Sequence, residues 1–153
     1  MDNTEVVIAN ITEQNLDEIV KLDTEVMACS RRDFFSKRLK RQNENPADFI
    51  SLGAHINGQL TGLLLCHMLR GEFGDNEAIA VLDTLDVAPA QQGKGIGHQL
   101  LTQLLAEVKT RGGRELRTVA EWNRPGLIDF FSANGFALAP RQVLQRQTRE
   151  VTF

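Results

Sequence analysis

Apolar and polar positions along the chain change their period several times, and each change marks an element. Glu5-Val6-Val7-Ile8-Ala9 reads as a short strand. Thr12 then stands as a helix N-cap, ahead of Leu16, Ile19 and Val20 on one helical face. Ser30 to Asn45 is charged but carries Phe34, Phe35 and Leu39, which predicts a second amphipathic helix ended by Pro46. Two apolar runs follow, Phe49 to Ile56 and Leu60 to Leu69, with Asn57-Gly58 between them. Both central residues of a tight hairpin need positive φ, and Asn-Gly tolerates it best, so the two runs are predicted to pair. A polar loop, Arg70 to Asn76, leads into Ala78 to Val87, which is apolar on both sides, as a central strand is.

A glycine-rich break, Pro89 to Gly97, separates that strand from His98 to Arg111, where Leu100, Leu101, Leu104, Leu105 and Val108 line one helical face. Gly112-Gly113 caps this helix, and Leu116 to Ala120 reads as a short fifth strand. Pro125 near the start of Arg124 to Asn134 fits the first turn of a helix, which Gly135 ends. Val143 to Val151 is predicted as a polar edge strand. No linker or repeat interrupts the series, so residues 1–153 are expected to form one mixed α/β domain.

Composition narrows the function classes. The chain has 153 residues, enough for one sizeable core. The net charge of −3 with both signs dispersed offers no basic field for nucleic acid. Cys29 and Cys66 make neither a zinc site nor a disulfide framework, which suits a reducing compartment. The first residues lack the pattern of a secretory signal and no apolar run is long enough to span a bilayer, so a cytoplasmic protein without membrane or metal partners is expected. Tyrosine is absent altogether.

The informative segment is Gln92-Gly93-Lys94-Gly95-Ile96-Gly97, between a buried strand and an amphipathic helix. Alternate glycines let the backbone approach a ligand, and the helix N-terminus adds unpaired N–H groups and the positive dipole end. Together these suit a phosphate or pyrophosphate. Two familiar phosphate motifs fail. Walker A needs Ser or Thr after Gly-Lys, where Gly95 stands, and the dinucleotide fingerprint needs glycine where His98 stands.

At these residues the sequence resembles the GNAT superfamily of acyl-CoA-dependent N-acetyltransferases. Gln92, Gly95 and Gly97 match the family's pyrophosphate motif, and Leu85-Asp86-Val87-Ala88-Pro89 resembles the strand end before it. Asn123, followed by Phe130-Phe131-Ser132-Ala133-Asn134-Gly135-Phe136, resembles the second motif, and the order of elements agrees along nearly the whole chain. The resemblance implies a mixed, mostly antiparallel sheet flanked by helices and splayed between the fourth and fifth strands. It implies acetyl-CoA in that gap. Gln92, Gly93, Lys94, Gly95, Ile96, Gly97 and His98 would then hold the pyrophosphate. Leu85, Asp86 and Val87 would hydrogen-bond the pantetheine and polarise the thioester carbonyl, and Asn123 would touch the pantetheine or the thiol end.

The attacking amine must be neutral, and a lysine-like amine has a pKa of about 10.4, so a base or a desolvating site has to help. Many family members place an acid on the fourth strand. Simple alternation puts Val81, Asp83, Leu85 and Val87 on one face and Asp86 on the other. Asp83, expected to be raised by burial, is therefore the candidate base, with a structural aspartate hydrogen-bonded to a neighbouring strand or an arginine as its alternative. Glu121 and Glu77 are weaker candidates. The family's usual tyrosine acid is replaced by Phe131, and Ser132 beside it points elsewhere.

His55, His67 and Cys66 are expected to be structural, and Arg31, Arg32, Lys37, Arg38, Lys40 and Arg41 to form a solvated face. Trp122 could line the acceptor pocket or fill the core. The function expected is acetyl transfer to a primary amine of a small molecule or peptide by direct attack, with a homodimer as a possible assembly. The alternatives are another acyl-CoA as donor, or a non-catalytic acyl-CoA-binding sensor domain.

Overall fold

The structure, a computed structural model, describes residues 5–71 and 76–149. The chain divides into two compact units at Val119/Ala120. In the first unit the elements run β1 (Val6–Asn10), α1 (Leu16–Met27), α2 (Arg32–Glu44), β2 (Phe49–Ile56), β3 (Gln59–Arg70), β4 (Ala78–Val87), α3 (Ile96–Thr110) and β5 (Gly113–Thr118). The strands form one sheet in the order β1-β2-β3-β4-β5. The first four are antiparallel to their neighbours, and β5 is parallel to β4. This is the mixed, helix-flanked sheet that the resemblance implies.

Local chemistry explains the breaks. Asn57 (φ 52°) and Gly58 (φ 76°) both take the left-handed conformation the β2–β3 turn demands. Thr12 caps a short 3₁₀ turn rather than α1 itself. Its hydroxyl accepts from the Gln14 N–H at 3.3 Å, while Asn15 Oδ1 accepts from the Thr12 N–H at 2.9 Å. The α3 helix begins at Ile96, two residues before the expected His98, because Gly95 (φ 84°) already serves as its N-cap.

Two helical layers cover the sheet. On one face Ile19 and Leu22 of α1 and Phe35 and Leu39 of α2 pack with Ile11, Leu60, Leu63 and Leu65. Each large apolar side chain buried this way contributes roughly 1.5–3 kcal/mol of transfer free energy. On the other face Gly62 lets α3 close on β3, since a Cβ there would lie 2.8 Å from Ile96 and 3.0 Å from Leu100.

In the β3–β4 ladder Leu65 pairs with Thr84, but Cys66 pairs with Leu82, so Asp83 is an extra residue, a β-bulge. The bulge overturns the simple alternation. Asp86 lies opposite Leu63 and Thr84 opposite Leu65, on the α1/α2 face. Leu85 lies opposite Leu64 and Val87 opposite Gly62, on the α3 face. Asp83 and Asp86 therefore share a face, and Leu85 and Val87 leave it.

The second unit contains α4 (Pro125–Ala133), with Pro125 at its first position. Its end is closed by Gly135 (φ 87°) and by the Phe136 N–H bonded to the Phe131 carbonyl at 3.0 Å. Phe131 is buried between Phe130 and Phe136, with ring centroids 5.5 and 5.0 Å away. The predicted last strand is not formed by residues 143–149, which have no ladder partner among the described residues. Its end, residues 150 and 151, lies outside them, as do residues 72–75 of the polar loop. Among the described residues no helix is long and apolar enough to cross a membrane, and no cluster of His, Cys, Asp and Glu could hold a metal ion.

Candidate active site

Strand β4 loses its parallel neighbour part-way along its length. The β4–β5 ladder runs from Ala78↔Gly113 to Leu82↔Thr118, where the Thr118 hydroxyl donates to the Leu82 carbonyl at 3.2 Å. Beyond that rung, among the described residues, no strand lines the β5 side of Asp83 to Val87. The ladder ends at the bulge, so the extra residue and the start of the open edge are the same place. The whole Asp83 residue is exposed although its side chain is only 22% exposed. The bare part is its main chain.

The open edge runs directly into the glycine turn. The Ala88 N–H donates to the Thr61 carbonyl at 2.8 Å, and the Gln92 side-chain amide donates back to the Val87 carbonyl at 3.1 Å. These bonds pin the loop at both ends. Gly93 (φ 79°) and Gly95 (φ 84°) adopt left-handed geometry, and a Cβ on either would meet nothing within 4 Å. The glycines there thus serve conformation and leave open space above the backbone. The first intrahelical bond of α3 is Gln99 N–H to Gly95 O at 3.0 Å. Helix geometry leaves the preceding N–H groups of Ile96 and Gly97 without an intrahelical acceptor. This is an anion cradle of the kind that suits a pyrophosphate. Lys94 reaches Gln91 at 3.3 Å, and His98 is exposed at the first turn of α3. Asn123 is exposed in the second unit, before α4.

Two clusters of charge stand on the α1/α2 face of β4. In the first, Asp83 Oδ2 accepts from Arg38 at 2.7 Å and lies 2.7 Å from His67 Nδ1. Burial alone would raise the Asp83 pKa as the sequence suggests. The hydrogen bonds from His67 and Arg38 outweigh it and hold the carboxyl below its usual range. Arg38 is buried, with its guanidinium 4.7 Å above the Phe49 ring. It does not belong to a solvated face, because it stands one helical turn after Phe35 and next to Leu39, on the buried side of α2.

In the second cluster Asp23 of α1 is fully buried and takes a bidentate pair from Arg31, at 2.9 and 2.5 Å. Arg31 lies over Phe34 and Phe35, 5.4 and 5.3 Å from their centroids. Asp86 is buried against this pair. Burial, a hydrogen bond with Asp23 and Asp23's charge push its pKa up to about 8, against the opposing pull of Arg31. Two carboxyls this close share one proton, and Arg31 keeps the charge on Asp23. Only main-chain groups of Asp86 can face a ligand along the open edge.

Sequence reasoning placed the turn but missed His67 and Arg38. The signal for His67 was its position one residue after Cys66 in a strand run, which says nothing about a partner on β4. Cys66 itself is core. Burial pushes its thiol up to about 12, so it is no nucleophile at neutral pH.

Comparison with known proteins agrees with this geometry. The family model described as the acetyltransferase (GNAT) family matches residues 16–136. No curated protein matches the chain. Among solved structures, the aminoglycoside N-acetyltransferase AAC(6')-Iy in complex with CoA superposes with a TM-score of 0.83 at 16% identity, over 96% of this chain and 97% of that one. An aminoglycoside acetyltransferase from an uncultured soil metagenomic sample, in complex with sisomicin, gives 0.76 at 20% identity, over 95% and 97%. A transcriptional regulator from Bacillus halodurans gives 0.79 at 19% identity, over 94% and 99%. At these identities the structures speak to the fold.

Proposed function

Because the chain belongs to the acetyltransferase (GNAT) family, we propose that it transfers the acetyl group of acetyl-CoA to a primary amine by direct attack. The observation that carries this reading is the continuity of the open β4 edge with the glycine cradle at Gln92 to Gly97. An edge of unpaired main-chain groups suits the amides of a pantetheine arm, and the cradle beyond it suits a pyrophosphate. In this reading Leu85, Asp86 and Val87 act through their main chain. Gln92 holds the loop, and Gly93 to His98 hold the phosphates. The role of Asn123 rests on the resemblance alone. Residues 1–153 act as one catalytic domain, in keeping with a family match that runs across Val119/Ala120. Catalysis centres on the Asp83 cluster, where the edge opens. A small-molecule amine is the acceptor class, since similarly folded proteins are aminoglycoside acetyltransferases.

Calorimetric titration with acetyl-CoA, with ATP and NAD as controls, tests the donor. Selective acetyl-CoA binding is expected, and failure to bind it overturns the reading. Gly95→Val should weaken acetyl-CoA binding at least tenfold. A β-branched side chain is strained at φ 84° and also fills the cradle, while the open space there spares the core. Phe131, packed among aromatic rings where the family usually has tyrosine, favours a second reading as an acyl-CoA sensor. Thiol release in the presence of a panel of primary amines separates the two.

A further inference from the structure

We propose that His67, oriented by Asp83, is the group that takes the proton from the attacking amine. The inference rests on the acetyl-transfer reading above and names the base within it. Its ground is the arrangement at the bulge. A β-bulge adds Asp83 at the residue where β4 parts from β5. The carboxylate so placed turns to the α1/α2 face and meets His67 Nδ1 at 2.7 Å.

That contact decides which imidazole nitrogen can act. A carboxylate only accepts, so Nδ1 must carry the hydrogen it shares with Asp83. Nε2 is then the basic nitrogen, with its lone pair directed away from Asp83. Arg38 bonds the same Oδ2 at 2.7 Å and is itself clamped over Phe49. The carboxylate therefore cannot swing to the amine, but it can hold the ring and stabilise the imidazolium that forms. The His67 side chain is 28% exposed, so solvent or substrate reaches it. Asp83 is the positioning residue and His67 the catalytic one.

The protons balance as follows. The ammonium gives one proton to His67 Nε2. The freed nitrogen lone pair forms the C–N bond at the thioester carbonyl. As the tetrahedral intermediate collapses, the C–S bond breaks, the nitrogen gives up a second proton, and one proton goes to the thiolate. The amide nitrogen keeps the third, and His67 returns its own to solvent. The charged groups around His67 are Asp83 on β4, Arg38 and Arg41 on α2, and Arg117 and Glu115 on β5, in or beside the row Phe49–His67–Val81–Arg117.

The experiment is a set of pH profiles of kcat/KM for acetylation of sisomicin and of spermidine, read by thiol release. It uses wild type, His67→Gln, His67→Ala and Asp83→Asn, with His55→Gln as control. Each variant's acetyl-CoA affinity is measured by calorimetry to show that the fold and donor site survive. We expect His67→Gln to lose about 10²–10⁴-fold in kcat with acetyl-CoA affinity unchanged. The rise of kcat/KM with pH should lose its His67 limb, and added imidazole should restore part of the activity of His67→Ala. Asp83→Asn should lose less, because the imidazole stays in place and loses only the carboxylate that orients it. Wild-type kcat and an unchanged limb in His67→Gln overturn the proposal. Acetyl-CoA binding with no turnover of any amine by wild type overturns instead the reading it rests on, and this inference with it.

Discussion

Asp83 and Asp86 stand three residues apart on β4, on the same face, and end in opposite states. Asp83 meets two donors, Arg38 and His67, and stays ionised below the usual carboxylate range. Asp86 meets another carboxyl, Asp23, in a drier place, and keeps a proton up to about 8. Burial pushes both upward, so burial is not what separates them. The partner's sign is. One strand thus carries an anion held by two donors and a neutral acid that links β4 to α1.

The largest effect that would break this contrast comes from Arg38. Arg38→Met removes a buried partner and leaves Asp83 with His67 alone. Asp83's pKa should rise and stability should fall by about 3 kcal/mol, the low end for a buried pair, because the Asp83 side chain remains 22% exposed. Urea unfolding at pH 7 checks the cost. The carboxyl resonance of Asp83, followed by NMR titration, checks the shift.

A smaller effect sharpens the contrast from the other side. Asp86 has a folded pKa of about 8 against its ordinary 3.8, so the folded state holds a proton the unfolded chain has lost. Its contribution to stability is complete below 3.8 and disappears as pH rises through about 8. Asp23, with its pKa lowered by bonds from Arg31 and Asp86 despite burial, contributes above its ordinary range and loses that on acidification. Asp86→Asn cannot titrate. Its Tm should exceed that of wild type at pH 8, and the difference should shrink or reverse at pH 5. A wild-type Tm that does not fall between pH 5 and pH 8 relative to the variant would remove the shared proton from the account.

The smallest effect is a control for both clusters. Arg32 and Asp17 pair at 2.6 Å with both side chains more than half exposed. Arg32→Ala should change stability by no more than ~0.5 kcal/mol, with no new pH dependence in thermal unfolding. An effect as large as that of Arg38→Met would mean that burial and partner count do not rank these pairs.

Much of the fold was legible because it rests on local rules. The Asn57-Gly58 turn, the apolar stripe of α3 and the order of strands and helices follow from periodicity and turn chemistry within a few neighbouring residues. Gln92, Gly95 and Gly97 were legible for the same reason, since a cradle made of backbone needs only a short glycine pattern and the helix after it.

The electrostatics of the α1/α2 face of β4 were decided elsewhere. Alternation assigned Asp83 and Asp86 to opposite faces, and one bulge, which exists only in the ladder with β3, placed them together. Arg38 reads as one more charge in a basic helix until α2 packs on the sheet and brings it to a residue 45 positions away. His67 finds Asp83 across 16 positions and Asp86 finds Asp23 across 63. The sequence by itself determined the elements from β1 to α4, their order and the glycine turn. The tertiary structure decided which carboxyl is charged and which histidine it holds, because a pKa depends on neighbours that only packing supplies.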